Sequence, residues 1–300
     1  LIGALAGDAL TTGNYNVALG YNALSTEDEH SANTAIGFSS LAVLNAGAHG
    51  YNTAVGYESG KSMTTGVQNT IVGSQAGDAL TTGARNTALG AYALSTEDTG
   101  SRSTAIGWYS LLMQNYDGIA YNTAVGYNAG GTISTGTLNT IVGALAGDAL
   151  TTGTGNVAVG YQALSSEDAH GTNVAIGHNS LATLDAGADA YNVAVGYNSG
   201  MGMTSGINNT IVGGLAGDAL TTGQSNTVVG YNALSQEDTG HRNVAIGQNA
   251  LSALNTDTIA YNTAVGYGTG AVMTTGTHNT LIGGLAGDAL TTGSYNVSLG

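Results

Sequence analysis

The chain has 300 residues, with 49 Gly, no Pro and no Cys, and a formal net charge of −15 from 19 acidic and 4 basic residues. Nucleic-acid binding needs clustered Lys and Arg, so this composition excludes it, and anionic membrane surfaces are disfavoured for the same reason. No apolar run reaches the length of a membrane span or of a secretion signal.

A five-residue phrase recurs along the whole chain and reads Asn-Thr-Ala-Val-Gly at residues 52–56. From residue 69 onward the intervals between copies cycle through 17, 17, 19 and 17 residues, which gives a repeat of 70 residues. A fixed period of this size is typical of a repeat array. The 17 copies begin at Asn16, Asn33, Asn52, Asn69, Asn86, Ser103, Asn122, Asn139, Asn156, Asn173, Asn192, Asn209, Asn226, Asn243, Asn262, Asn279 and Asn296.

The phrase has the pattern of a short strand followed by a bend. Counting its first residue as position 1, position 2 is Thr or Val, position 4 is Val, Ile or Leu, and position 5 is always Gly. Side chains alternate along a strand, so positions 2 and 4 share one face, which we expect to point inward. Gly permits the tight bend that follows. A second Gly, usually at position 15, marks another corner, and the pattern predicts one coil of a parallel β-solenoid per copy. The density of Gly disfavours a helix.

Four coils make up each 70-residue unit. In one such unit, coil 69–85 carries a Gly-Asp-Ala-Leu-Thr-Thr-Gly turn, coil 86–102 carries Leu-Ser-Thr-Glu-Asp, coil 103–121 is two residues longer, and coil 122–138 ends in a Thr-, Ser- and Gly-rich turn. No linker interrupts this order. We therefore predict an all-β fold with a single array of 17 coils over residues 1–300. Because the sequence begins and ends inside a phrase, we also expect it to be a window cut from a longer fibre protein.

Position 3 suggests how the chain assembles. It points away from positions 2 and 4, yet it is almost always apolar, and a strand that is apolar on both faces is buried on both faces. A second copy of the chain is the predicted neighbour, and packing of a long turn from the same chain is the alternative. The predicted oligomer-interface residues are Ala54, Ile71, Ala88, Ala105, Ala124, Ile141, Ala158, Ala175, Ala194 and Ile211.

The repeated phrase resembles the head repeats of trimeric autotransporter adhesins, the YadA-like or haemagglutinin-type repeats. Their signature reads Ser-Val-Ala-Ile-Gly followed, after two residues, by Ala or Ser, and this chain has a small residue at the same place, as at Ala76, Ala93 and Ser110. The resemblance implies a left-handed β-roll, a homotrimer and a surface-exposed adhesive fibre. The coils are longer than is usual in that family, and no neck, stalk or anchor is visible. Similar phrases occur in phage and viral fibres.

Recurring carboxylates are the candidates for metal binding. Asp78 lies in one coil, and Glu97 and Asp98 lie in the next, where stacking would bring them together. Oxygen ligands of this kind suit Ca²⁺, so a calcium clip is one hypothesis. The alternative is a solvated turn that keeps the protein soluble. Apart from calcium, the sequence indicates no cofactor.

Other residue types give weaker patterns. His occurs sporadically, with His30 and His170 at a place where two other repeats have Gly, which favours drift at exposed turns over a site. Regular aromatic residues, such as Tyr51 and Tyr57, suggest either packing along a corner or a glycan-binding face. Ser and Thr occur without a base at a defined spacing, so we expect no enzyme. Ice binding is disfavoured because Thr pairs occur in only some coils.

These observations predict a structural, non-enzymatic fibre at a cell surface, acting as an adhesin-like shaft or an extracellular filament. A phage or viral tail-fibre shaft on a virion surface is the alternative. The expected partners are other copies of the chain, with a host receptor, matrix component or glycan as a further possibility. We expect neither nucleic-acid binding nor membrane insertion by this segment.

Overall fold

The computed structural model describes residues 1–300 and shows an all-β chain built from three-residue parallel strands. No element is a helix of the length and apolarity that crossing a membrane requires. The chain forms two compact units, Leu1–Gly153 and Thr154–Gly300, each of which is a parallel β-solenoid. The fold class was therefore predicted correctly, and one continuous array over residues 1–300 stays a prediction.

One strand lies at each copy of the phrase. Unit 1 contains β1 (Val17–Leu19), β2 (Thr34–Ile36), β3 (Thr53–Val55), β4 (Thr70–Val72), β5 (Thr87–Leu89), β6 (Thr104–Ile106), β7 (Thr123–Val125) and β8 (Thr140–Val142). Unit 2 contains β9 (Val157–Val159), β10 (Val174–Ile176), β11 (Val193–Val195), β12 (Thr210–Val212), β13 (Thr227–Val229), β14 (Val244–Ile246), β15 (Thr263–Val265), β16 (Thr280–Ile282) and β17 (Val297–Leu299).

Within each unit, successive strands pair in parallel and in register. Thr53 pairs with Thr70, Ala54 with Ile71, and so on along the stack, so that each position meets the same position of the next coil. The position 5 Gly maintains this close stacking. At Gly56, φ is +141°, and an added Cβ would lie 2.4 Å from the carbonyl oxygen of Gly73. Only Gly can therefore occupy this corner.

The predicted inward and outward faces of the strand are reversed in the structure. Position 3 points into the coil, and positions 2 and 4 point outward, as at Ala54, which is 0 % exposed between the half-exposed Thr53 and Val55. The predicted interface residues are therefore wrong, because a side chain buried within its own chain cannot contact another copy. All of them are fully buried: Ala54, Ile71, Ala88, Ala105, Ala124, Ile141, Ala158, Ala175, Ala194 and Ile211.

The narrow interior explains why Ala dominates position 3. In some coils a Leu from the opposite wall fills the space, as Leu94 does in the coil of Ala88, and both side chains are fully buried. In other coils the opposite wall has Gly, and a large side chain at position 3 of the strand fills the interior. A Cβ added to Gly77 would lie only 3.3 Å from Cδ1 of Ile71 in the same coil. In these coils a large residue on one wall thus faces a small one on the other, which keeps their interior close-packed.

Asparagine at position 1 also faces inward and forms a ladder of hydrogen bonds. Asn69 Oδ1 accepts the backbone N–H of Asn86 at 2.8 Å, and Asn69 Nδ2 donates to the carbonyl oxygen of Gly83 at 2.9 Å. The buried amide of Asn69 is therefore satisfied by the next coil and by the position 15 corner of its own coil, whereas Nδ2 of Asn33 and of Asn243 has no hydrogen-bond partner. Because an unsatisfied buried polar group costs about 1–3 kcal/mol, this ladder holds the coils in register.

Because position 3 points inward and position 2 points outward, a charge introduced at position 3 should destabilise the fold far more than a charge introduced at position 2. Ala124→Glu places a carboxylate in the interior without a partner and should destabilise the fold by about 3–5 kcal/mol. Thr123→Glu, on the half-exposed outward face, should cost far less. Urea unfolding followed by far-ultraviolet circular dichroism measures both free energies. Equal midpoints for the two variants would contradict the inward placement of position 3.

Candidate functional site

The outward face of the strands is uncharged. Positions 2 and 4 carry only Thr, Val, Ile and Leu in all 17 strands. These side chains lie half-exposed, with Leu89 at 42 % and Ile246 at 36 %. Parallel strands are normally covered on both faces, so an open, uncharged face of this kind is a candidate interaction surface.

Exposed aromatic rings stack on one another at position 6, one residue after the corner Gly. Tyr21 and Phe38 lie 5.4 Å apart between ring centroids, and Phe38 and Tyr57 lie 5.3 Å apart, with near-parallel rings. All three remain about half-exposed. The face of each ring packs against its neighbour in the stack, and the exposed half of each side chain remains open to solvent.

The aromatic stacks are discrete. In unit 2, Tyr161, His178 and Tyr197 form a second stack with centroid separations of 5.2 and 5.4 Å. Small residues interrupt position 6 in the first coil of each repeat, as at Ser74 and Gly214. Tyr51, which the sequence pattern groups with Tyr57, does not join the stack and packs edge-on against His49 instead.

Four acidic turns recur along the chain, and their Glu side chains face inward. Glu27, Glu97, Glu167 and Glu237 are all 0 % exposed. They occupy position 12, which most other coils fill with buried apolar side chains such as Leu80. The sequence does carry this signal, as a charged residue at an otherwise apolar position, but sequence reasoning placed the whole turn in solvent.

Buried N–H donors surround the carboxylate of Glu97. Its Oε1 accepts the N–H of Gly100 at 2.7 Å, and its Oε2 accepts Nε2 of Gln114 at 2.9 Å and the N–H of Tyr116 at 3.3 Å. Burial nevertheless raises the pKa of the Glu97 carboxyl, and the hydrogen bonds oppose that shift. Burial likewise raises the pKa values of Glu167 and Glu237.

The predicted calcium ligands do not form a cluster. Glu97 points into the interior, where protein donors hold it, and Asp98 Oδ1 accepts the N–H of Thr99 at 2.7 Å. Asp78 is half-exposed, and burial raises the pKa of its carboxyl. The donor atoms that lie within 4.8 Å of one another belong to two other turns, both of which contain a His at position 15.

The two histidine-containing turns group residues that sequence reasoning treated as unrelated. Their side chains offer one imidazole nitrogen each, together with two carboxylates in unit 1 and three in unit 2, and the buried Glu of each turn belongs to the group. Finding these groups requires knowing that position 12 points inward and lies beside position 15. The two groups are Glu27, Asp28 and His30, and Glu167, Asp168, His170 and Asp185.

The buried Glu residues predict a specific dependence of stability on pH. Because burial raises the pKa of Glu237 above its ordinary value of 4.5, the folded state keeps this proton at pH values where the unfolded chain has lost it. Stability should therefore fall as pH rises from about 4.5 through the folded-state pKa, and this loss should be smaller in Glu237→Gln.

Urea midpoints measured between pH 4.5 and 8 test this expectation. Asp257→Asn, which removes an exposed carboxyl from the next coil, is the matched control and should follow the wild-type slope. If Glu237→Gln and Asp257→Asn lose stability with pH as steeply as the wild type does, Glu237 makes no such contribution.

Comparison of the chain with protein-family models, with curated proteins and with solved structures gives no match.

Proposed function

We propose that this chain is a section of an extracellular structural fibre that associates with copies of itself through positions 2 and 4. The observation that carries the proposal is the uncharged, half-exposed outward face of the strands. The chain has 23 charged side chains (19 acidic and 4 basic), and none lies at these positions. Such a distribution suits a face that becomes buried on assembly.

A second copy of the chain fits this face better than an unrelated protein does. Every strand presents the same two rows of side chains, so two copies in matching register repeat the same contact along the stack. Symmetric association of identical subunits is the commonest way in which soluble oligomers form. The resemblance to adhesin head repeats favours a left-handed β-roll and a trimer, and the spacing of the phrase gives coils of 17, 17, 19 and 17 residues.

The remaining surface suits a shaft that displays recognition features. The net charge of −15 keeps it soluble and repels phosphate-rich partners. Adhesion to a host receptor or matrix component, on a cell surface, follows from the resemblance. A tail-fibre shaft on a virion is the alternative, with the same assembly. The proposal includes no catalytic step.

Glycan binding is a second candidate function, favoured by the exposed aromatic stacks. Tyr21, Phe38 and Tyr57 form a continuous stack that is open to solvent on one side. The exposed parts of these rings would contact the apolar C–H groups of a sugar. This activity would supplement the structural role, since it uses position 6 and leaves positions 2 and 4 free for assembly.

Light scattering after size-exclusion chromatography tests the assembly. The wild-type chain should have about three times the subunit mass of 29.6 kDa. The double variant Val72→Glu and Val125→Glu, which places two charges on the outward face of separate strands, should behave as a monomer with unchanged circular dichroism. Buried like charges oppose association.

A matched control adds the same two charges elsewhere. Thr65→Glu and Thr135→Glu lie at exposed turns of unit 1 and should leave the wild-type mass unchanged. A monomeric wild type at micromolar concentration, or a trimer that survives the two outward charges, would contradict the proposed interface.

A glycan array tests the second function. We expect the wild-type chain to bind a subset of glycans, and Phe38→Ala to abolish the binding attributable to the first stack, since it removes the central ring. Val43→Ala, another exposed apolar residue outside the stack, is the control and should bind normally. The glycan hypothesis fails if the wild type binds no glycan or if Phe38→Ala binds as well as the wild type does.

A further inference from the structure

The four acidic turns differ at position 15, and that difference changes the environment of the buried Glu. Two turns have Gly, and there the corner N–H donates to the carboxylate at 2.7 Å, from Gly100 to Glu97 and from Gly240 to Glu237. A Cβ added to Gly100 would lie 2.5 Å from Glu97 Oε1. A side chain at position 15 therefore requires the carboxylate to lie elsewhere.

The turn of unit 1 with His at position 15 leaves a buried carboxylate oxygen without a donor. His30 Nδ1 lies 3.1 Å from Glu27 Oε1 and 3.8 Å from Asp28 Oδ1. Glu27 is 0 % exposed, and its Oε2 has no hydrogen-bond partner. Such an oxygen is costly to bury, so a bound cation at this turn would stabilise it.

The corresponding turn of unit 2 has the same arrangement and one additional carboxylate. His170 Nδ1 lies 3.3 Å from Glu167 Oε1, yet this buried nitrogen has no hydrogen-bond partner. The N–H of His170 is 3.2 Å from Glu167 Oε1, longer than the 2.7 Å of the turns with Gly. Donor atoms of Glu167, Asp168, His170 and Asp185 all lie within 4.8 Å of one another.

Asp185 distinguishes this group from the other three acidic turns. It belongs to the coil after the one that contains Glu167, so the group joins two adjacent coils. The residues 140 positions before Asp185, 70 before it and 70 after it are Asn45, Asn115 and Asn255. The one coil that supplies a third carboxylate, and so a fourth ligand, thus follows a turn that already has His and two carboxylates.

We propose that the two histidine-containing turns bind a divalent transition-metal ion of the Zn²⁺ class. Zn²⁺ takes imidazole nitrogen and carboxylate oxygen at about 2.0–2.2 Å in tetrahedral geometry, which places its ligands about 3.4 Å apart. The donor atoms of each group already lie within 4.8 Å of one another, so each pair has to approach by about 1.4 Å or less to reach that spacing. Glu167, Asp168, His170 and Asp185 supply four ligands, and Glu27, Asp28 and His30 supply three and leave one position for water.

The mixed donor set selects against the alkaline-earth ions. Ca²⁺ takes six to eight oxygen ligands and Mg²⁺ prefers octahedral oxygen coordination, whereas imidazole suits Zn²⁺ and its neighbours. In unit 2 the ion would connect two coils, and binding to the folded chain alone would raise its melting temperature. This inference concerns residues outside the proposed self-association face and does not rest on the proposed function.

Isothermal titration of the tag-free, metal-stripped chain with Zn²⁺ tests the proposal. We expect two sites per chain, with the four-ligand site tighter, and no comparable binding of Ca²⁺ or Mg²⁺. Zn²⁺ should raise the melting temperature, and excess chelator should reverse the shift. Failure of the wild type to bind Zn²⁺ in a saturable manner would overturn the proposal.

The chain supplies its own matched variants. His30→Gly and His170→Gly introduce the residue that the other two turns carry, and each should remove one site, with no binding in the double variant. Asp185→Asn introduces the residue of the corresponding coils and should weaken the tighter site by about 10-fold or more. Because Asp185 is exposed, this variant keeps the test valid even if the position 15 variants fold poorly.

The control is His278→Gln, which removes a His that stacks between Tyr261 and Tyr295 and belongs to neither group. It should bind Zn²⁺ with the wild-type stoichiometry. Two sites that persist in the His30→Gly and His170→Gly double variant, or equal losses in His278→Gln, would show that Zn²⁺ binds elsewhere and would overturn the assignment.

Discussion

Stacking in register is the constraint on which the rest of this structure depends. Each inward-facing residue lies directly above the same position of the next coil, so a residue type is accepted inside only if it is compatible with the residues at that position in the neighbouring coils. Asn satisfies this because its amide both accepts from the next coil and donates to a carbonyl, as at Asn69. Ala satisfies it by being small, and Gly56 by letting backbones approach closely.

Outward-facing residues do not have to pack inside the coil. The candidate functional residues at positions 2, 4 and 6 all lie on this outward side. Positions 2 and 4 keep the β-branched and aliphatic residues that suit an extended strand, but the coil does not use them to fill its interior. Aromatic rings at position 6 stack because in-register coils lie close together, as with Tyr21 and Phe38. The same geometry that satisfies the interior therefore aligns identical side chains in rows on the surface.

The spacing of the repeated phrase made the strands predictable, but the hydrophobicity of the strand residues led to the wrong prediction of which face points inward. The spacing of the phrase predicted every strand, because a repeated bend fixes where each coil must turn. Val and Thr look more like core residues than Ala and Asn do, so positions 2 and 4 were expected inside. The sequence does hold the correcting signal, since Ile71 occurs where the opposite wall has Gly77, and Ala88 where it has Leu94. The His groups required coordinates, because positions 12 and 15 meet only once the inward face is known.

One irregular coil shows that the interior accepts a polar residue only together with its partners. Ser103 replaces Asn in the ladder, and the same coil has Gln114 where corresponding coils have Leu44, Leu184 and Leu254. Gln114 Nε2 donates to Ser103 Oγ at 2.8 Å and to Glu97 Oε2 at 2.9 Å, and its Oε1 accepts Asn122 Nδ2 at 2.9 Å. The two substitutions are physically coupled, and together they satisfy the buried Glu. Glu27 has no such donor for its Oε2, so in its turn one buried oxygen is left without a hydrogen-bond partner.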